Sequence, residues 1–277
     1  MSPKVKINLA ISPCPNDTFI FGAWINAFLD NEKLSPPNCD FLDIEELNQA
    51  AKSGQYDLIK VSAAHAFSLL DKYDILSCGG AVGENCGPLL ISTKQNQNKN
   101  PILSSVALPG IQTTAHLLYN FAYPNSVDKK FMLFSKIEDD VLQGRSDFGV
   151  IIHENRFTYK EKGLVLIKDL GVHWQDNTNL PIPLGLILVK KGLPMEIKSL
   201  IKSIIQESIK FAQKHLHLLL PFIKSHSQDL HEEVILQHIK LYVNSYSLDL
   251  AESGKMALEK LFQLSSNSES TPQFQLI

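Results

Sequence analysis

The sequence predicts an α/β fold made of two similar lobes, each a mostly parallel sheet flanked by helices. Strand-like and helix-like segments alternate from residue 5 onward, and the same order of segments starts again near residue 104. In both series a helix is followed by a glycine and then by an aspartate that begins a strand, at residues 54–62 and 144–153. We therefore expect an internal repeat, with the ligand-binding edge of each lobe where its strands end.

The first series begins with residues 5–11, which alternate in part and carry β-branched side chains, as is typical of a strand. A proline-containing turn at 12–18 follows. The apolar, aromatic stretch 19–29 then predicts a buried helix, with Asp17 or Thr18 as its N-cap. The series continues with a strand at 39–42, a helix at 44–52 and a strand at 57–61.

The second series has the same plan, and a helical region follows it. Its predicted elements are a strand at 104–108, a helix at 113–121, a strand at 131–134, a helix at 137–143 and a strand at 148–152. An apolar strand at 184–189 leads away from it. From residue 195 the spacing of apolar residues is helical, and a core-facing stripe is formed by Ile197, Leu200, Ile201, Ile204, Ile205 and Ile209. Further helices are predicted at 231–242 and 248–264, and residues 265–277 are expected to fray or to drape over the surface.

The composition is that of an ordinary soluble globular protein. Of the 277 residues, 44% are hydrophobic and 20% are charged, and the net charge of −3 provides no electrostatic basis for binding nucleic acid. The four cysteines are scattered and include no C-x-x-C pair, which argues against a disulfide scaffold or a zinc ribbon. No segment approaches the roughly 20 apolar residues of a membrane span, and the N-terminus does not resemble a signal peptide, so we expect a cytoplasmic protein.

Four polar residues lie at predicted strand ends and are expected to face one cleft: Ser12, Ser62, Thr113 and His153. A histidine in such a place can act as a general base, because its ordinary pKa is near neutral. The alternative for His153 is a hydrogen-bonded histidine at a domain surface. Thr113 and Thr114 offer hydroxyls and unpaired amides at a helix start, where the helix dipole favours a carboxylate or a phosphate. A cap without a ligand is the alternative there.

Three other features have both a functional and a structural interpretation. Lys60 lies in an otherwise apolar strand, where burial is costly unless an anion is close, and an edge-strand lysine with its amine in water is the alternative. Cys14 and Cys86 have no base visible in the sequence, so they are interpreted as small buried residues. The histidines include no H-E-x-x-H pattern or comparable cluster, and we predict no metal.

Eight segments between residues 6 and 264 together resemble the 1,4-dihydroxy-6-naphthoate synthase family of the futalosine route to menaquinone. They are SPCPNDTFIF (12–21), KVS (60–62), GPL (87–89), PGIQTTA (109–115), IIHENRFTY (151–159), DLG (169–171), LPIPLG (180–185) and YVNSYSLDL (242–250). The resemblance implies a type-2 periplasmic-binding-protein-like fold with two crossover strands near 89–93 and 184–189. One lobe is then expected to comprise 1–92 and 187–277, and the other 93–186.

The resemblance also implies the reaction and the residues that perform it. Members of the family convert cyclic dehypoxanthinylfutalosine to 1,4-dihydroxy-6-naphthoate and dihydroxyacetone, a carbon–carbon lyase reaction without a cofactor. His153 matches the proton acceptor of the family. The residues expected to contact the substrate are Lys60, Val61, Ser62, Thr114 and Ala115 from the family pattern, together with Thr113 and Asn16 at the two predicted turns. The expected partner is a small-molecule substrate, with no nucleic acid and no membrane, in a monomer or a homodimer.

Two other classes of protein are alternatives. A solute-binding protein would share the fold, but it normally carries a signal sequence or a lipid anchor, and the sequence shows neither. Chorismate dehydratase, an enzyme of the same pathway and fold, is the closest catalytic rival. It is not expected to combine the SPCPNDTF turn with the IIHENRFTY segment.

Overall fold

The structure is a computed structural model that describes residues 4–228, 231–266 and 274–277, and within them eleven strands form two sheets. The strands are β1 (Asn8–Ile11), β2 (Asn38–Phe41), β3 (Leu58–Ser62), β4 (Tyr73–Ile75), β5 (Ala81–Gly83), β6 (Leu89–Thr93), β7 (Ser105–Leu108), β8 (Asp128–Phe131), β9 (Phe148–Ile151), β10 (Leu164–Asp169) and β11 (Ile182–Lys190).

Helices flank both sheets, and the longer ones follow β11. They are α1 (Pro15–Ile25), α2 (Ile44–Ala51), α3 (Ala63–Ala66), α4 (Thr114–Ala122), α5 (Ile137–Leu142), α6 (Asn155–Thr158), α7 (Leu170–Thr178), α8 (Met195–Lys214), α9 (Leu216–His226), α10 (Glu232–Tyr242), α11 (Ser245–Leu248) and α12 (Ala251–Ser266). Three short 3₁₀ turns lie at Phe67–Leu69, Pro101–Leu103 and Phe134–Lys136. Among the described residues, no helix has both the length and the apolar character that crossing a bilayer requires.

The two sheets have the same strand order, which confirms the predicted repeat. The first sheet runs β2-β1-β3-β11-β4, with β5 also paired to β11, and the second runs β8-β7-β9-β6-β10. Pairing directions show that one strand in each sheet runs against all the others: β11 in the first and β6 in the second. Each of these is the strand that follows the passage of the chain from one sheet to the other. The sheets are therefore mostly parallel, as predicted.

The passages between the sheets differ from the crossover strands predicted near 89–93 and 184–189. Within the described part of the chain, β6 pairs only with β9 and β10, and β11 only with β3, β4 and β5. The chain therefore crosses in the segments before Leu89 and before Ile182. The predicted lobe limits at 92/93 and 186/187 stay a prediction, but they cut through β6 and β11.

Two predicted boundaries are wrong for identifiable reasons. The first helix begins at Pro15, with Cys14 in the N-cap position, because proline suits the first helical turn. Asp17 and Thr18 thus lie inside that turn. The strand predicted at 131–134 is β8, three residues earlier, and Phe134 begins a 3₁₀ turn instead. The lysines at 129 and 130 interrupt the apolar pattern that indicates a strand, so the sequence did not predict β8 at its true position. An edge strand such as β8 tolerates these charges well.

The end of the chain adds to the first sheet. Leu276 forms a parallel bridge with Ile75, and the Ser77 amide donates to the Ile277 carbonyl oxygen at 3.0 Å. The prediction that residues 265–277 fray is therefore wrong for residues 274–277, and also for residues 265 and 266, which end α12; its part at 267–273 lies outside the described residues.

Apolar packing joins the two lobes. One core cluster contains Val61 and Leu188 of the first sheet together with Leu108 and Phe148 of the second. A separate cluster covers the other face of the first sheet, beneath α1, α8, α9 and α10. The predicted stripe on α8 faces that cluster, with Ile201, Ile204, Ile205 and Ile209 buried and Ile197 and Leu200 half-buried.

We predict that Gly171→Ala destabilises the protein by about 1–3 kcal/mol through overpacking at the first passage between the lobes. A Cβ on Gly171 would overlap the backbone of Cys86 and Gly87. Alanine favours a helix over glycine, so a loss of stability in urea unfolding must come from this contact. Gly192→Ala is the control, since nothing lies within 4 Å of its Cβ position. Equal effects of the two substitutions would contradict the prediction.

Candidate functional site

A cavity of about 100 Å³ lies where β1, β3, β7 and β9 end. The predicted cleft residues Ser12, Ser62, Thr113 and His153 all line it. Its complete lining is Ser12, Asn16, Ile44, Lys60, Ser62, Ala81, Pro88, Thr113, Thr114, Ala115, Ile152, His153, Leu184, Gly185, His238 and Tyr242. The strand ends of both lobes thus converge on one site.

Val61 is the one predicted site residue that the structure places elsewhere. Successive side chains of a strand point to opposite faces of the sheet, so Lys60 and Ser62 face the cavity and Val61 does not. Its side chain is fully buried in the core cluster that joins the lobes. The Val61 side chain is thus not available to substrate, and a substrate contact at Val61 stays a prediction that only its backbone could fulfil.

Lys60 is buried against an internal anion. Its amine forms an ion pair with Asp17, and the side chains of both residues are nearly or fully buried. β3 is flanked by β1 and β11, so the edge-strand alternative for Lys60 is wrong. Gly185 on β11 makes room for this side chain, because a Cβ there would lie 2.7 Å from Lys60 Cε.

Asp17 also organises the turn between β1 and α1. The Ser12 hydroxyl donates to Asp17 Oδ2 at 2.6 Å, and the Ser12 amide donates to the same oxygen at 3.2 Å. The Asn16 side-chain amide donates to Asp17 Oδ1 at 2.7 Å. A carboxylate with this many donors is well compensated in a buried position. The turn is therefore a rigid wall of the cavity.

Ser62 is held by a residue that the sequence analysis did not identify. The Asn48 side-chain amide donates to Ser62 Oγ at 3.0 Å, and the Ser62 backbone amide donates to Asn48 Oδ1 at 2.9 Å. Asn48 is fully buried on α2. This pair of bonds fixes the position of the Ser62 hydroxyl at the end of β3.

The start of α4 forms the opposite wall. Thr113 is the N-cap, and its hydroxyl accepts from the His116 amide at 3.2 Å. The Thr114 hydroxyl forms hydrogen bonds to the first lobe: it accepts from the Ala64 amide at 3.1 Å and donates to the Leu184 carbonyl oxygen at 3.0 Å. The groups that this helix offers to an anion are therefore the first backbone amides, at Thr114 and Ala115, which precede the intrahelical bonds.

His153 follows β9 in a left-handed conformation, with φ of 58°. Such a backbone is uncommon outside glycine and is frequent at functional sites. The ring packs edge-on against Phe134, with the ring centroids 4.6 Å apart. Burial lowers the pKa of His153 to about 4, although the charge of Asp17 opposes the shift. The imidazole is therefore unprotonated at neutral pH, at a lower pKa than its residue type suggests.

Cys14 contacts His153 across the lobes, with Sγ 3.1 Å from Nδ1. A cysteine beside a histidine can be an activated nucleophile. Here burial and the nearby carboxylates of Glu154 and Asp17 raise the pKa of Cys14 well above its usual range, so the group is a thiol. Cys14 is buried, as the sequence predicts, but it has a base beside it that the sequence does not reveal.

The same corner of the cavity contains the one group of metal-ligating side chains found in the described part of the chain. Ligand atoms of Cys14, His153 and Glu154 lie within 4.8 Å of one another. Such a set could hold a thiophilic cation, although the cation would have to displace the thiol proton. The absence of a metal from the functional site stays a prediction.

His238 and Tyr242 complete the lining, and the sequence analysis did not identify them. Both lie on α10, and their rings are 4.7 Å apart. The helical region after residue 195 thus contributes to the cavity as well as to the core. The only sequence signal was a histidine on an otherwise apolar helix face.

Two α/β lobes of this topology, with a cavity at the converging strand ends, define the class of periplasmic-binding-protein-like folds. The periplasmic aliphatic sulphonate-binding protein of Escherichia coli aligns with a TM-score of 0.65 and 11% identity, over 100% of this chain and 94% of that chain. A ligand-binding component of an import system from Staphylococcus aureus aligns with a TM-score of 0.71 and 12% identity, over 97% and 94%. At such identities the likeness shows the fold alone.

The chain belongs to the menaquinone biosynthesis family, whose model matches residues 7–267. Two curated relatives are named 1,4-dihydroxy-6-naphthoate synthase. The relative from Thermus thermophilus is 37% identical over 256 residues, 92% of each chain, and that from Streptomyces coelicolor is 35% identical over 262 residues, 92% of this chain and 91% of the relative. A solved structure from Archaeoglobus fulgidus has a TM-score of 0.88 and 31% identity, over 95% of this chain and 97% of that chain. The resemblance seen in the sequence is confirmed.

We predict that Lys60→Met lowers the free energy of unfolding by about 3–5 kcal/mol, because it leaves the Asp17 carboxylate buried without its cation. The double variant Lys60→Met/Asp17→Asn should recover much of the loss. Urea unfolding measures both. Lys33→Met is the control, since the Lys33–Glu196 ion pair is mostly exposed and its loss should change little. A Lys60→Met variant as stable as this control would refute the prediction.

Proposed function

We propose that this protein is a 1,4-dihydroxy-6-naphthoate synthase. It cleaves cyclic dehypoxanthinylfutalosine to 1,4-dihydroxy-6-naphthoate and dihydroxyacetone, as a carbon–carbon lyase that uses no cofactor. The relatives with that name support the reaction. The observation that carries the proposal is the position of the His153 imidazole, which lines a cavity whose other wall is the start of α4.

His153 is the general base. Its Nδ1 faces Cys14, so the nitrogen that takes the substrate proton is Nε2. This requires the proton of the neutral ring to lie on Nδ1, directed at Sγ of Cys14. Removal of the substrate proton triggers cleavage of the C–C bond, and formation of the aromatic naphthalene ring supplies the driving force. One such base contributes roughly 10²–10⁴ in rate, and orientation of the substrate contributes much of the rest.

The substrate carboxylate binds at the start of α4. The backbone amides of Thr114 and Ala115 and the positive end of the helix dipole favour an anion there. The Ser62 side chain points into the same cavity from β3. Lys60 attracts the substrate carboxylate less than an unpaired lysine would, because the Asp17 carboxylate neutralises its charge. The carboxylate is thus recognised mainly by the backbone.

Substrate entry requires the lobes to separate. The cavity of about 100 Å³ is smaller than the roughly 300 Å³ at the lower end for ligand sites. Inter-lobe contacts such as Cys14 with His153 and Thr114 with Leu184 must open to admit a fused-ring compound. The described conformation therefore corresponds to a closed one, in which Cys14 and Phe134 pack against the half-buried His153 ring.

The relatives are named as biosynthetic enzymes, and their names support a catalytic role and a cytoplasmic location over transport of a solute. Chorismate dehydratase remains the catalytic alternative to be tested directly. The two enzyme classes share the fold, so the substrate that the protein converts distinguishes them.

The decisive assay incubates the purified protein with cyclic dehypoxanthinylfutalosine, without added metal or nucleotide, and detects 1,4-dihydroxy-6-naphthoate. The His153→Asn variant should lose about 10²–10⁴ in kcat with little change in KM, because asparagine cannot take a proton near neutral pH. Asparagine also tolerates the left-handed backbone at this position, so the variant should stay folded. Equal product from wild type and variant would show that the base is misassigned. A wild type that dehydrates chorismate instead would support the alternative enzyme.

The pH dependence of kcat/KM tests the environment of the base. The unprotonated form of His153 is active, and its pKa lies near 4, so kcat/KM should stay level from about pH 8 to pH 5 and fall by half near pH 4. Tryptophan fluorescence over the same range confirms that the protein remains folded. An acid limb centred near pH 6.5, the ordinary range of a histidine, would contradict the lowered pKa of His153.

A further inference from the structure

The His238 side chain is buried in the cavity wall without a hydrogen-bond partner. It is 1% exposed, and neither Nδ1 nor Nε2 has a partner among the residues that the structure describes, 4–228, 231–266 and 274–277. Its ring packs against two aromatic rings, Tyr242 at 4.7 Å and Phe157 at 6.3 Å between ring centroids. An unpaired buried polar group costs free energy, and native proteins rarely retain one without a purpose.

The unpaired nitrogens of His238 border the same cavity as His153. His238 is on α10 of the first lobe and His153 follows β9 of the second, so the two rings reach the site from different lobes. Burial lowers the pKa of His238 far below its ordinary value, and the nearby His153, Lys60 and Arg156 reinforce this shift. A neutral imidazole offers one donor and one acceptor.

We propose that His238 is a substrate-contacting residue, whose ring nitrogens exchange hydrogen bonds with an uncharged hydroxyl or carbonyl group of the ligand. The inference rests on the proposed function for the identity of that ligand. The carboxylate has its own site at the amides of α4, and a ring with both a donor and an acceptor suits a hydroxyl. His238 thereby binds a different part of the substrate from the part bound by α4.

The contact with Phe157 adds to this interpretation. Phe157 follows His153 by four residues in the second lobe, on α6, and its ring lies against His238 of the first lobe. Closure of the lobes therefore brings His238 to its position beside the base. A ligand group held there is sequestered at the same time as the proton acceptor.

The test compares His238→Leu with His238→Gln. Leucine is close in size and has no hydrogen-bonding group, so it should raise KM and lower kcat/KM about 10- to 100-fold, with kcat changed less than about threefold. Glutamine restores a donor and an acceptor and should recover most of kcat/KM. Loss of the base in His153→Asn should instead lower kcat, which separates the two roles.

A second readout is the Tm of the ligand-free protein. If both nitrogens are unpaired before the ligand binds, His238→Leu should leave Tm unchanged or raise it. His65→Leu is the matched control: His65 is also buried, but its Nε2 lies 3.0 Å from the Asn48 carbonyl oxygen and its Nδ1 3.0 Å from Ser68 Oγ. This control should lower Tm.

The outcomes separate the inference from the proposed function. A His238→Leu variant with kcat/KM within twofold of wild type, or with a Tm loss like that of His65→Leu, would overturn the inference. If the wild type forms no product, the proposed function fails. In that case an unchanged or raised Tm in His238→Leu still supports a ligand contact at His238, and a lowered Tm still overturns it.

Discussion

The buried contact between Lys60 and Asp17 holds together the first lobe's share of the site. Lys60 comes from the middle of β3 and Asp17 from the first turn of α1, and neither charge can remain buried alone. Asp17 also accepts hydrogen bonds from Ser12 and Asn16. The turn at 12–18, the start of α1 and the strand β3 are therefore held together as one unit. His153 and α4 of the second lobe close against this unit, and the geometry of the cavity depends on it.

A symmetric topology produces an asymmetric site. Both sheets share one strand order and one opposed strand, yet their strand ends supply different chemistry. The first lobe contributes the Lys60–Asp17 ion pair and the hydroxyl of Ser62, which add no net charge to the cavity. The second contributes the imidazole of His153 and the start of α4. The C-terminal helices add His238, a group for which the repeat has no counterpart in the other lobe.

Regular periodicity predicted the elements of the repeat, and its strand ends predicted four of the sixteen residues that line the cavity: Ser12, Ser62, Thr113 and His153. The sequence analysis missed β4, β5, α3, α6 and α11, which are too short to show a period, and also β10, α7 and α9. The three-residue motif at 60–62 spans both faces of a strand, so only Lys60 and Ser62 of it line the cavity. The partner of Lys60 lies 43 residues away, and only tertiary structure reveals such a neighbour. His238 lies on a buried helix face, where a histidine is normally a core residue, and the low pKa of His153 arises from burial that no local pattern encodes.

The position of β11 has a consequence for the synthesis of the chain. This strand lies between β3 and β4, but it emerges from the ribosome only after the whole second sheet, from β6 to β10, has been made. The second lobe is contiguous in sequence, so we expect it to fold first, against the usual order from the N-terminus. Until β11 arrives, the apolar strand β3 has an open edge that can pair with other chains. The nascent first lobe is therefore the stage at which this protein most needs protection from aggregation.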